Sequence, residues 1–381
     1  MRIGINTLFL VPGDVGGTEV YLRNTLSAMA ALETEDTLVL FTNRENDNLL
    51  RQDLAEYPKV EFHQLPCRAT IRPVRIVIEQ FLLPFVASKQ SVDVLWSPGY
   101  TAPAICRIPQ AVTIHDLQYK SHPEDMKFSE RLMLDVLVRT ACRSCDAVIT
   151  ISTFSKQEIL RYGFAKDEKI HAIPEGVAEH FSADLPGSEN EKTKKLAGVG
   201  VQKPYLLCVA HTYPHKNVDK LVDAFSVFSK TFPHQLVLVG KARRGEDKVT
   251  ESLKKNEDSS KVIRLSSLSE AELKLLYQGA DVFILPSSYE GFGLPVLEAM
   301  MAGAPVITSR MASLPELGGE CVEYVDTPSP ENLCKAMNKV MTLPPKQRRE
   351  WLTKARERAR SFTWKRTGEL TLRVLRDIAN K

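Results

Sequence analysis

The sequence predicts an α/β protein made of two doubly wound parallel-sheet domains, and three observations carry that expectation. Twelve short β-branched runs alternate with stretches whose apolar residues recur at helical spacing. Most of the runs have a continuous apolar stretch rather than an alternating pattern, as strands covered by helices on both faces do. At 381 residues the chain is also too long for one ordinary core.

In order, the runs are Arg2 to Leu8, Thr37 to Phe41, Asp93 to Trp96, Ala111 to His115, Ala147 to Ile151 and Lys169 to Ile173, then Tyr205 to Ala210, Gln235 to Gly240, Lys261 to Leu265, Asp281 to Leu285, Ala304 to Thr308 and Cys321 to Val325. Between the two sets lies SADLPGSENEKTKKLAGVGVQKP, Ser182 to Pro204, which is polar, charged and rich in Gly, Pro and Ser. The expected division is therefore a first domain over 1–182, a linker over 183–203 and a second domain over 204–362. Past the last run, PPKQRREWLTKARERARSFTWKR is basic, with Leu352, Ala355 and Ala359 at helical spacing. It reads as a solvated helix face, with a polyanion contact as the weaker reading.

Composition narrows the function. With 43% hydrophobic and 25% charged residues the chain belongs among globular proteins. A formal charge of +3 gives no reason to expect nucleic acid as a partner. MRIGINTLFL has a strand pattern without the apolar core of a secretory signal, so a cytoplasmic location is expected. Seven scattered cysteines suit buried thiols rather than a disulfide framework, and Cys142-x-x-Cys145 lacks the second pair that zinc would want. No apolar run is long enough to span a membrane. VRIVIEQFLLPFVA, from Val74, follows Arg68 and Arg72; an ordinary half-buried helix is the first reading and a helix lying on an anionic membrane surface the second.

Ligands of open parallel sheets bind beyond the carboxyl ends of the strands, and four such places hold informative residues. After the first run, Gly16 and Gly17 let backbone approach a ligand at the start of a helix near Thr18, although a plain tight turn would look the same. At the end of AVTIHDL, His115 is placed to bond a sugar hydroxyl or to serve as a structural histidine, while Asp116 suits a helix cap. In YLLCVAHTYPHKNVDKLVDAF, Lys216 precedes a helix, a position suited to a phosphate.

The fourth place is FILPSSYEGFGLPVLEAMMAG. A buried strand runs into a glycine-rich turn, and Pro295 opens a helix that ends before Gly303. Amides near Phe292, Gly293 and Leu294 form a backbone anion site. Glu290 in the turn and Glu298 one turn into the helix can face one crevice, where carboxylates accept paired hydrogen bonds from sugar and ribose hydroxyls.

The spacing Glu290-x7-Glu298 within PSSYEGFGLPVLEAMMAG, followed by APVITSRMASLPELGG, resembles the nucleotide-binding half of the retaining glycosyltransferases of family four, which have the GT-B fold. The resemblance extends through the Gly16-Gly17 loop, VTIHDL, PHKN and SFTW, and so covers nearly the whole chain. It implies two Rossmann-like domains facing a central cleft, with the C-terminal helix 363–381 packing back onto the first. It implies that Glu298 holds the donor ribose, and that Glu290 with the Gly291, Phe292, Gly293 and Leu294 backbone holds the sugar and diphosphate. Lys216 then neutralises the leaving diphosphate, Gly16 and Gly17 close on it, His115 contacts the sugar near the reacting carbon, and Gly240 and Ser266 lie close to the nucleotide.

The implied activity is metal-independent, retaining hexosyl transfer from a nucleotide-diphosphate sugar to a lipid-linked or growing cell-surface polysaccharide, with no cofactor. No Asp-x-Asp occurs, so a metal-bound diphosphate is not suggested. VTIHDL and SLPELGG resemble mannosyltransferases of surface polysaccharide pathways and imply mannose from GDP-mannose, with UDP and dTDP sugars still open. Acceptor specificity is expected in the first domain, including Arg68 to Arg75, and peripheral contact with the inner face of the cytoplasmic membrane goes with a lipid-linked acceptor. One departure stands out: the family places an arginine shortly before the lysine, where this chain has Ala210, His211 and His215. Either histidine substitutes, or diphosphate binding is weakened. Two other readings follow, an epimerase-like nucleotide-sugar enzyme and a catalytically weak nucleotide-binding assembly subunit. Ser313 to Glu316 reads as a capping box.

Overall fold

A computed structural model describes residues 1–14, 16–182 and 188–381. The chain divides into two compact units, Met1–Gly176 with Thr363–Lys381, and Val177–Phe362. Of the stretch expected as a linker, 183–187 lies outside the described residues. The rest is not extended: helix Glu189–Gly198 belongs to the second unit, its first turn closed by Ser188 and Glu191 in a reciprocal capping box.

The first unit holds a seven-stranded sheet of β1 (Arg2–Asn6), β2 (Thr37–Thr42), β3 (Val60–Gln64), β4 (Val94–Ser97), β5 (Gln110–Ile114), β6 (Ala147–Thr150) and β7 (Ile170–Ala172), in the order β3-β2-β1-β4-β5-β6-β7. Every pairing is parallel. Helix Trp364–Ala379 lies against helix Gly17–Ala31, where Gly368 allows close approach to Ala28, and Thr367 donates to the Pro174 carbonyl. The second unit repeats the plan with β8 (Tyr205–Val209), β9 (Gln235–Val239), β10 (Val262–Leu265), β11 (Val282–Leu285), β12 (Val306–Ser309) and β13 (Glu323–Val325), ordered β10-β9-β8-β11-β12-β13 and again all parallel.

The central strands are buried on both faces, which explains their unbroken apolar sequences. Strand β3 has no counterpart among the twelve expected runs. It is an edge strand, only partly buried, and its sequence VEFHQ alternates polar with apolar. In each sheet the chain reverses direction of growth at one point, between β1 and β4 in the first unit and between β8 and β11 in the second. Crevices at the carboxyl ends of open sheets form at such reversals.

Candidate functional site in the second unit

The loops after β8 and β11 meet at that reversal. Asn217 sits in the left-handed region (φ 52°) between a 3-10 turn and helix Val218–Phe228. Its side-chain amide donates to the Pro286 carbonyl at 2.8 Å, tying the first loop to the second. Ser288 donates to the His215 carbonyl through both its amide and its hydroxyl. These bonds seat Lys216 against Glu290: Nζ lies 2.6 and 2.7 Å from the two carboxylate oxygens, with both side chains largely withdrawn from solvent. A forked, charge-assisted contact of this kind holds a lysine at a fixed place.

Helix Leu294–Ala302 starts after the turn, and the amides of Phe292, Gly293 and Leu294 find no acceptor among the described residues. They are the orphan donors every helix start exposes. The expected capping box at Ser313 is corrected by the structure. The Ser313 hydroxyl donates to the carbonyls of Glu290 (2.8 Å) and Phe292 (2.6 Å) instead of capping its own helix. It therefore latches the turn that carries Glu290, and the local S-x-x-E pattern gave no sign of it.

Glu298 is half-buried and accepts from the Tyr277 hydroxyl at 2.7 Å. Burial of its carboxyl is the dominant influence and pushes the pKa from 4.5 up to about 7; the Tyr277 bond opposes this and Glu270 adds a smaller upward push. The group is thus costly to keep ionised without a ligand.

The His211 and His215 positions differ. His215 is buried, with its ring stacked on Tyr213. His211 is half-buried, and its Nδ1 accepts the Lys241 amide at 3.0 Å, which places the ring proton on Nε2. Burial first, then the cations Arg243, Lys216 and Lys241, hold its pKa below the ordinary value, so it is neutral at pH 7. Arg243 itself has a buried Nε with no partner among the described residues. Sequence reasoning had missed this arginine, which follows β9, the strand beside β8; its only signal was the basic run KARR after an apolar strand. Gly240 is a place where only glycine fits, because an added Cβ would lie 2.2 Å from the Ala210 carbonyl oxygen. Ser266 is exposed just past β10, outside this group of contacts.

In the first unit, Gly16 takes φ 58° at the start of helix Gly17–Ala31, and nothing lies within 4 Å of where a Cβ would stand on Gly16 or Gly17. Backbone conformation, not crowding, asks for glycine at Gly16; Val15 lies outside the described residues. His115 is buried, edge-on to Tyr21, with Nε2 2.9 Å from the Pro98 carbonyl. Burial lowers its pKa to about 4, so the imidazole is neutral, donates to that carbonyl and keeps only Nδ1 as an acceptor. Asp116 accepts from the Gln118 amide two residues on, but it stands one residue before Leu117, the cap position of helix Gln118–Ser121, so it is not the cap expected. Cys142 and Cys145 are buried free thiols whose pKa values burial pushes up, to about 12 for Cys142, which makes them unreactive packing residues.

Residues 15–181 match the family described as Glycosyltransferase Family 4, and residues 189–358 match Glycosyl transferases group 1. With two parallel-sheet Rossmann-like units in this order, the chain has the GT-B fold and belongs to the family-four type of glycosyltransferase. Among its relatives are O-antigen chain mannosyltransferase B of Escherichia coli, 30% identical over 56% of this chain and 56% of that protein, and MMP alpha-(1->4)-mannosyltransferase of Mycolicibacterium hassiacum, 28% identical over 62% and 55%. The chain spans a little over half the length of these curated relatives. Solved structures with the same fold include Anabaena Alr3699/HepE in complex with UDP and glucose (TM-score 0.75, 20% identity, 99% of both chains) and WaaG, a glycosyltransferase involved in lipopolysaccharide biosynthesis (TM-score 0.73, 18% identity, 98% and 99%).

Proposed function

We propose that the protein is a retaining hexosyltransferase that moves mannose from GDP-mannose to a lipid-linked or growing surface polysaccharide. The observation that carries the reading is the convergence of Lys216, Glu290 and the open amides of 292–294 at the reversal between β8 and β11. Departure of a nucleoside diphosphate develops negative charge, and a preorganised lysine beside free amides stabilises it in place. In this reading Lys216 leaves Glu290 for the diphosphate when donor binds, which frees Glu290 to accept hydroxyls of the transferred sugar. Glu298 takes the ribose, and His211 with Arg243 adds a hydrogen bond and a charge near the diphosphate. From the first unit, Gly16, Gly17 and His115 are carried as donor contacts, His115 accepting at Nδ1. No metal or cofactor is part of the proposal. Retention is read as same-face attack, with the leaving phosphate taking the acceptor proton.

The choice of mannose is supported by the relatives named as mannosyltransferases, and the HepE complex keeps UDP-sugars in view. The test is thermal stabilisation by GDP, UDP, ADP, dTDP and CMP and their sugars, followed by transfer from the stabilising donor. A ligand at about 100 times its Kd adds about 2.7 kcal/mol and raises the melting temperature by several degrees. A shift confined to one nucleotide, then transfer that Glu290→Ala abolishes, supports the reading; no shift with any of them refutes it. Donor consumption without acceptor would point to an epimerase instead.

A further inference from the structure

The segment PVRIVIEQFLLPFVA contains Pro84, whose ring would collide with the carbonyl four residues earlier in a regular α-helix. The chain answers by widening one turn. Helix Arg72–Val77 passes into a π-turn over Ile78–Leu82, the Leu83 amide donates to the Ile78 carbonyl five residues back, and Leu83–Lys89 continues as α-helix. In this register Glu79 turns inward, where it is buried and accepts from Thr101 (2.9 Å) and Asn6 (3.3 Å). Val77, Phe81 and Phe85 are left facing out, Phe81 at 77% exposure.

Helix Phe128–Ser144 does the same without a kink. Its inner face is Val138, Ala141 and Cys142, and its outer face shows Phe128 (70% exposed), Leu132 and Val136 to solvent. Both helices contribute walls to one cavity of about 420 Å³ at the reversal between β1 and β4, where Arg72 and Arg75 face Met133 and Leu137. Of the thirteen large hydrophobic residues exposed among the described residues, ten lie on these two helical segments or at Ile71 and Ile105 beside them. A concentration of that kind marks a surface made for a partner.

Charge says which partner. Residues 68–89, 105–107 and 127–144 hold nine of the chain's fifty Lys and Arg but only three of its forty-seven Asp and Glu, so the rest of the chain is net acidic. One of the three acids, Glu79, is buried, and another, Asp135, is paired with Lys120 and Arg139. Aromatic and aliphatic residues interleaved with an excess of basic ones, of which Arg75 and Arg139 have acidic partners, fit an apolar layer beneath anionic headgroups, whereas the core of a protein interface is depleted of charge. No helix of the described residues is long and apolar enough to cross a membrane, so the contact is one of lying on the surface.

We infer that this face rests on an anionic lipid bilayer, with Phe81, Phe85, Phe128 and Leu132 in the headgroup region and the cavity opening toward a lipid-borne acceptor. The inference deepens the proposed transfer to a lipid-linked acceptor, but its test does not depend on that transfer. The purified chain is sedimented with vesicles of phosphatidylcholine alone or mixed with phosphatidylglycerol, as wild type and as the double variants Phe81→Ser/Phe85→Ser and Phe128→Ser/Leu132→Ser. Binding to anionic vesicles should exceed binding to neutral ones by at least about tenfold, weaken with salt, and fall by about tenfold or more in each variant. Stabilisation by the nucleotide should be the same in the variants as in wild type, which separates loss of the face from loss of the fold or of the donor site. Equal binding to both vesicle types, or to neither, would overturn the inference. So would a dimer at sedimentation equilibrium that the same variants dissociate, since the face would then belong to a second copy.

Discussion

Glu298→Gln should stabilise the unliganded protein above neutral pH while weakening nucleotide binding. In the folded chain the Glu298 pKa stands at about 7 against 4.5 unfolded, because burial disfavours the carboxylate. The folded state therefore holds a proton that the unfolded state releases between those values, and stability falls as pH rises through that window. Above it the full cost applies, about 3 kcal/mol at pH 8 against about 1 kcal/mol at pH 5. Gln is close in shape, carries no charge, and can still accept the Tyr277 hydroxyl through its amide oxygen. Allowing about 1 kcal/mol for an imperfectly paired amide, the variant gains about 2 kcal/mol at pH 8 and nothing at pH 5. For a unit the size of Val177–Phe362 this is a rise in Tm of about 5 °C by scanning calorimetry at pH 8. The same variant should bind the nucleotide about tenfold more weakly, because a charged acceptor for ribose hydroxyls has become a neutral one. A Tm that falls at pH 8, or rises equally at both pH values, refutes the account of Glu298 as a carboxylate held at a cost for its ligand.

Three further outcomes follow from neighbouring contacts. Removing Lys216 or Glu290 singly should each destabilise by about 1–2 kcal/mol, and the double variant Lys216→Met/Glu290→Gln by less than the sum, so that a double-mutant cycle in urea returns a coupling of about 1 kcal/mol; zero coupling would mean the pair does not persist in solution. Arg243→Ala should raise the His211 pKa toward its ordinary value, seen by NMR titration, and weaken GDP or UDP binding about tenfold while leaving nucleoside binding unchanged. Ser313→Ala should cost about 1–2 kcal/mol, since two carbonyls of the Glu290 turn lose their donor, and should lower donor affinity together with stability; an affinity loss without a Tm change would contradict the latch.

Much of this architecture could be read from the chain because a parallel strand buried on both faces has nowhere to hide its pattern. VFIL and VITS are apolar whatever their neighbours. Strand β3 escaped because a half-exposed edge strand has the composition of a loop. The π-turn at Ile78–Leu82 escaped for a different reason: Pro84 announces a disturbance, but a break and a widened turn are equally good answers until the packing of Glu79 decides between them. At the site, the spacing of Glu290 and Glu298 within one turn-helix unit was visible. Their different surroundings were not, since Glu290 meets Lys216, 74 residues away, while Glu298 is buried beside Tyr277. Ser313 shows how a local rule fails. Its S-x-x-E pattern suits a capping box, yet Ser313 has a helical backbone, the Glu316 amide goes to its carbonyl oxygen, and its hydroxyl turns to the carbonyls of Glu290 and Phe292.

The missing arginine invites the same kind of reasoning. Read along the chain, the segment after β8 has histidines where a permanent charge is wanted, and a binding-only protein follows as one reading. Read across the sheet, β8 lies beside β9, and the loop leaving β9 brings Lys241 onto His211 and Arg243 near it. Burial first, and then those cations, hold the His211 pKa down, so it does not supply the charge itself; what it supplies is one Nε2 donor set among positive neighbours. A departing diphosphate responds to the potential at its own position, and it is indifferent to which strand delivers the charge. The deficit that motivated the binding-only reading is a deficit of one sequence segment; in the proposed reading the charge comes instead from the loop after β9, which the topology sets beside β8.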